Sequence, residues 1–131
     1  MAAAIELSIE EKTEWYRLTD RRRQLAYIRK LCRQIVEAFH PTRIILFGSQ
    51  AYGKPTDESD IDLLVIMPYE DSHIRPGLKI RNYLNVLAPM DLLVRSPEEV
   101  EARLAMGDSF MREIMKRGKV MYEANYRKKL G

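Results

Sequence analysis

Cysteine is nearly missing from this sequence: Cys32 is the only one in 131 residues, so neither an internal disulfide nor a cysteine-rich metal centre can form within the chain. A reducing compartment suits such a composition. Long apolar runs are also missing. No stretch approaches the roughly 18 residues that cross a bilayer, and Met1 to Glu11 lacks the basic start and apolar core of a secretory signal. The expectation is a cytoplasmic protein with no membrane association. Neither sign of charge dominates: 22 Lys and Arg stand against 19 Asp and Glu, a net of +3, too mild for direct nucleic-acid binding unless it is clustered. Repeats, low-complexity tracts and long linkers are absent too. What is present is ordinary globular material, 46% apolar and 31% charged, at a length that suits one hydrophobic core. The chain is therefore read as a single domain over 1–131, with N-terminal helices in 1–40, a core in 43–122 and a basic tail in 123–131.

Ser8 and Glu11 have the spacing of a capping box and predict a short helix through about Leu18. A longer helix follows from about Asp20 to Phe39, where Leu25, Ile28, Leu31, Cys32, Ile35, Val36 and Phe39 recur on one face. Pro41 ends it. Arg43 to Phe47 is a short apolar strand running into the Gly48-Ser49 turn, and Ile61 to Met67 is a strand apolar enough to be covered on both faces. Leu78, Ile80, Tyr83, Leu84 and Leu87 suggest a helix ending near Ala88 and Pro89, and Met90 to Val94 is a third strand. Ser96-Pro97-Glu98-Glu99 supplies an N-cap, a first-turn proline and a box-closing glutamate. Gly107 and Asp108 then separate that helix from one reaching Arg117. Gly118 is a C-terminal stop before a strand at Val120 to Tyr122.

The feature that carries chemistry is Gly48-Ser49, ten intervening residues, then Asp60-Ile61-Asp62. Glycine allows backbone N–H groups to converge on an anion after a strand, and a serine hydroxyl adds a donor; the β and γ phosphates of a nucleoside triphosphate suit such a corner. Asp60 and Asp62 lie two apart on a strand, so their carboxylates share one face. Two close carboxylates repel unless a proton or a cation neutralises them, and hard oxygen ligands favour Mg²⁺ or Mn²⁺. Asp91, at the start of the third strand, joins them if that strand lies beside Ile61 to Met67. The four fixed positions at this spacing arise by chance in about one chain in a thousand. An unpaired Asp-x-Asp in an apolar strand is costly as pure structure.

Other features carry less. Arg33 and His40 match a ribonuclease spacing only loosely, and His40 is better explained as a helix end. His73 is a loop residue. Arg21-Arg22-Arg23 is read as a solvated face and Met106, Met111 and Met115 as helix packing. Lys54, Arg75, Lys79 and Arg81 could reach a triphosphate or simply serve solubility.

Leu46-Phe-Gly-Ser-Gln-Ala-Tyr-Gly53, Ser59-Asp-Ile-Asp-Leu-Leu-Val65 and Asp91-Leu-Leu-Val94 together resemble the minimal nucleotidyltransferases of the DNA polymerase beta-like superfamily. The resemblance implies an α/β fold, α+β in some schemes, with a mixed central sheet flanked by helices. It also implies Mg²⁺ dependence (or Mn²⁺) and transfer of AMP from ATP to an acceptor hydroxyl. By position, Gly48 and Ser49 would hold triphosphate, Asp60, Asp62 and Asp91 would bind metal, and Asp91 would complete the site by helping to take the acceptor's proton. Larger relatives carry an added acceptor domain, for which about nine residues after Tyr122 leave no room. Minimal members similar to this one act as antitoxins that add AMP to a tyrosine of a partner HEPN toxin. That is the leading expectation. Beside it stand a non-catalytic antitoxin that occludes its toxin and an adenylyltransferase for a small molecule such as an antibiotic, whose acceptor pocket would need a homo-oligomer.

Overall fold

A computed structural model describes residues 21–52, 60–69, 76–86 and 88–124. The helix expected at Ser8 to Leu18, His73 and most of the basic tail lie outside the described residues. The first described helix, α1, is Arg21–Phe39, with Ile28, Leu31, Cys32 and Ile35 on its buried stripe. It ends where the sequence requires. His40 adopts a left-handed φ of 52° and Pro41 follows, so the helix cannot propagate.

The strands are β1 (Arg43–Phe47), β2 (Ile61–Ile66), β3 (Met90–Arg95) and β4 (Lys119–Glu123). They form one mixed sheet in the order β3-β2-β1-β4. β1 runs antiparallel to both β2 and β4, whereas β2 and β3 are parallel. As its apolar run predicts, β2 is interior and covered on both faces, with Ile61, Leu63, Leu64 and Val65 at 0% exposure. One face carries Ile44, Leu46, Leu63 and Val65 against α1 and α3 (Pro76–Tyr83). The opposite face carries Ile45, Phe47, Leu64 and Ile66 against Val100 of α4 (Pro97–Ala105) and Met111 and Ile114 of α5 (Ser109–Arg117). Each fully buried aliphatic side chain of these layers contributes about 1.5–3 kcal/mol. This two-sided burial fixes the register of the sheet, because a slip by one residue would exchange its faces.

Several local expectations are met in detail. Ser96 Oγ accepts the Glu99 N–H at 3.1 Å and Glu99 Oε1 accepts the Ser96 N–H at 2.8 Å, closing the capping box. Asp108 caps α5 through the Met111 N–H. Others are corrected. α3 starts at Pro76 and stops at Tyr83 instead of running toward Ala88. Beyond it Leu84, Val86 and Ala88 are buried at alternate positions on the way to β3. Met111 packs into the core, but Met106 is 75% exposed at the C-cap of α4. Gly118 has φ −66°, so its backbone does not need the left-handed region. Space explains it: a Cβ there would lie 2.4 Å from the Ile114 carbonyl oxygen and 2.5 Å from Ile45 Cγ2. Glu123, expected in the tail, pairs instead with Arg43 at 3.0 Å as the last residue of β4.

Candidate active site

β1 delivers the chain to Gly48, whose φ of 72° lies in the left-handed region. Its carbonyl accepts the N–H groups of Ala51 at 2.9 Å and Tyr52 at 3.1 Å, starting the one-turn helix α2 (Ser49–Tyr52). Ser49 opens that turn and is exposed. Gln50, the next residue, is fully buried. Its side-chain amide donates to Gln24 Oε1 at 3.3 Å, and Arg21 donates to both its side-chain and backbone oxygens. A buried polar network of this kind costs free energy unless its members are paired. Its pairing fastens the Gly48-Ser49 corner to α1. Arg21 therefore has a structural task, contrary to the solvated face read from Arg21-Arg22-Arg23.

Asp62 lies opposite Phe47 of β1 and, on its other side, in register with Asp91 of β3. Parallel pairing of β2 with β3 is what sets the second and third carboxylates next to each other. Alternation puts Asp62 on the face of Leu64 and Ile66, which is the α4–α5 face. The Asp62 carboxylate presses on the corner itself: a Cβ on Gly48 would come 2.1 Å from Asp62 Oδ2. Glycine is thus required twice at this position, by its dihedral and by the carboxylate. Asp60 is exposed just before β2, where the Ile61 N–H donates to the Pro89 carbonyl at 2.9 Å and ties the strand entry to the approach of β3.

Burial raises the Asp62 pKa to about 6, and the negative charges of Asp91 and then Asp60 push the same way. Asp62 therefore senses both of the other carboxylates. Among the described residues none of the three forms an ion pair. Nor are three His, Cys, Asp or Glu groups there already converged at metal-ligand separations. The donor set nevertheless fits a hard divalent cation, since it offers carboxylate oxygens whose mutual repulsion a cation would relieve.

Gly48, Asp62 and Asp91 line one cavity of about 300 Å³. Ser49 and Asp60 are exposed outside its lining. Phe47, Tyr52, Phe110, Glu113 and Ile114 complete it, and the Phe47 and Phe110 rings meet edge to face at 5.8 Å. The α5 wall is what sequence reasoning missed. Its signal was the spacing of Phe110, Glu113, Ile114 and Arg117, which share one helical face. Larger cavities of about 480 Å³ between α1 and β4 and about 570 Å³ between α3 and β3 contain none of the three aspartates. The aspartates therefore make the smaller cavity the candidate site. Of the basic residues considered from sequence, Arg81 donates to the Met90 carbonyl at 2.8 Å, bracing the β3 start that carries Asp91. Lys79 is exposed on α3, and Lys54 and Arg75 lie outside the described residues.

Residues 29–127 match the family model described as "Polymerase beta, Nucleotidyltransferase". The chain belongs to this nucleotidyltransferase family. It is also similar to a candidate protein adenylyltransferase of Methanocaldococcus jannaschii, 32% identical over 80 residues that cover 61% of this chain and 77% of that protein. Its fold is similar to the crystal structure of a candidate nucleotidyltransferase from Sulfolobus solfataricus, with a TM-score of 0.51 at 15% identity over 94% of this chain and 93% of that one. The mixed sheet flanked by helices is accordingly the fold of a nucleotidyltransferase, and a nucleoside triphosphate is the substrate class the family implies. No described helix of this nucleotidyltransferase is long and apolar enough to cross a membrane.

Proposed function

We propose that this nucleotidyltransferase moves AMP from ATP to a hydroxyl, with a tyrosine of a partner protein as acceptor, and that the partner is a HEPN-type toxin which the modification silences. The observation that carries the reading is the β2–β3 register, with Asp91 beside Asp62 and Asp62 against Gly48. The M. jannaschii relative, named for adenylyl transfer to protein, supports the acceptor class.

In this reading Gly48 and Ser49 bind the triphosphate, and Asp60, Asp62 and Asp91 hold Mg²⁺ or Mn²⁺. The cation supplies charge neutralisation for the attacking and departing oxygens. The acceptor oxygen bonds to the α-phosphorus, the bond from that phosphorus to the bridging oxygen breaks, and pyrophosphate departs with its electron pair. Asp91, exposed at the site, receives the proton from the acceptor hydroxyl in this reading.

ATP labelled at the α-phosphate, incubated with Mg²⁺ and the protein encoded beside this one, should transfer label to a tyrosine, whereas γ-labelled ATP should not. The Asp60→Asn, Asp62→Asn double variant should transfer none. An unlabelled partner under saturating Mg²⁺ refutes protein adenylylation. Full protection against the toxin by that double variant would instead favour occlusion without catalysis.

A further inference from the structure

Among the described residues, the charged side chains that line the cavity at the carboxylates are Asp62, Asp91 and Glu113, with no lysine or arginine beside them. That is an unfavourable surface for a polyanion. Divalent ions on the aspartates relieve part of the repulsion, but Glu113 stands on α5, away from the β2–β3 pair. Its charge is met by Arg117, whose Nη1 lies 3.2 Å from Glu113 Oε1.

The same guanidinium sits 4.4 Å from the centroid of the Tyr52 ring, close enough for a cation–π contact. Tyr52 lines the cavity and ends the single turn that starts at Gly48, to whose carbonyl its N–H donates at 3.1 Å. Arg117 therefore touches two walls of the site and stands one side chain from the Gly48-Ser49 corner.

Four other described arginines have partners away from the cavity. Arg21 is bound to Gln50, Arg81 to the Met90 carbonyl, Arg95 to the Val94 carbonyl and Arg103 to Asp108. Arg117 differs in that its partner is itself a cavity carboxylate. Both members of the pair are about half exposed, at 55% and 52%, so solvent screens the pairing and a competing anion can break it at little cost. A planar guanidinium can take phosphate oxygens in a bidentate geometry, whereas its contact with Glu113 is a single one, Nη1 to Oε1.

Given the nucleotidyl-transfer reading, we propose that Arg117 is a phosphate-binding cation of this site and that Glu113 is its resting counter-ion, displaced when the triphosphate arrives. Tyr52 keeps the guanidinium over the corner during the exchange.

Binding titrations of Mg-ATP, inorganic pyrophosphate and adenosine to the wild-type chain and to Arg117→Gln, Arg117→Lys and Glu113→Gln test this. Arg117→Gln should weaken Mg-ATP and pyrophosphate about ten-fold, the loss of one charge-assisted contact, and leave adenosine unchanged. Arg117→Lys should recover part of the loss. Glu113→Gln should bind both anions as well as the wild type or more tightly, because it frees the guanidinium. Thermal melts of all four proteins show whether each variant is folded. A folded Arg117→Gln with wild-type affinity for Mg-ATP overturns the proposal alone. So does a Glu113→Gln that loses as much as Arg117→Gln, which would make the pair a structural clasp. A wild-type chain that binds neither Mg-ATP nor pyrophosphate overturns the nucleotidyl-transfer reading, and this inference with it.

Discussion

Replacing Asp62 with asparagine should stabilise the metal-free protein while abolishing its response to Mg²⁺. Asp62 is half-buried, and its acidity is shifted from an ordinary 3.8 to about 6, first by burial and then by Asp91 and Asp60. A shift of about two units corresponds to about 3 kcal/mol. Half the side chain meets solvent, which reduces the usable part to about 1–2 kcal/mol. The folded state holds this proton more tightly than the unfolded chain does. Its contribution to stability is therefore complete below about pH 4 and is lost as the pH rises through about 6. At pH 7.5 the wild type bears the full penalty of the ionised group and Asp62→Asn bears none. Thermal melts in chelator should place the variant roughly 3–8 °C above wild type at pH 7.5, with the gap closing toward pH 4. Saturating Mg²⁺ should reverse the order, raising the wild-type midpoint and leaving the variant nearly unmoved. Protons and metal compete for the same oxygens, so the wild type should need more Mg²⁺ at pH 5 than at pH 7.5. A variant that melts below wild type in chelator at pH 7.5, or keeps the full Mg²⁺ shift, refutes the reasoning.

Three further substitutions separate the site from its scaffold. Gly48→Ala forces a Cβ to within 2.1 Å of Asp62 Oδ2 at a left-handed dihedral; turnover should fall about 100-fold as the carboxylate is displaced, measured as pyrophosphate release. Gly118→Ala meets the Ile114 carbonyl at 2.4 Å and should cost about 1–3 kcal/mol in chemical unfolding. Ser96→Ala opens the capping box of α4; it should cost about 1 kcal/mol and leave activity at the wild-type level.

Much of the fold was legible because its signals are local. Pro41 next to α1, the Ser96–Glu99 box and the apolar run of β2 each act within a few residues, and each appears where the pattern puts it. The limits of α3 were less legible, since Leu84 satisfies a helical period and an alternating one equally well. Only its partners decide, and in the folded chain Leu84, Val86 and Ala88 follow the alternating one. Gly118 shows a different limit. A glycine after a helix suggests a left-handed cap, yet here it serves a close approach to Ile45, and nothing near position 118 in the chain reports where β1 will be.

The same distinction orders the candidate site. Gly48, Asp60 and Asp62 stand close together in the sequence, so their spacing in the chain already implies nearness in space. Asp91 could be named as a candidate but not located, because its value depends on whether β3 pairs with β2 and in which register. A parallel pair with Asp62 opposite Asp91 provides that condition. The far wall shows in the sequence only as a shared helical face: Phe110 and Glu113 line the cavity, with Arg117 behind Glu113, because Ile114 and Met111 of α5 seat against Ile45, Phe47 and Leu64. The apolar packing of α5 and the polar fittings of the site are thus one arrangement. A substitution such as Ile114→Ala, remote from the reacting atoms in the chain, should be expected to loosen Glu113 and Arg117 against Tyr52 along with the core.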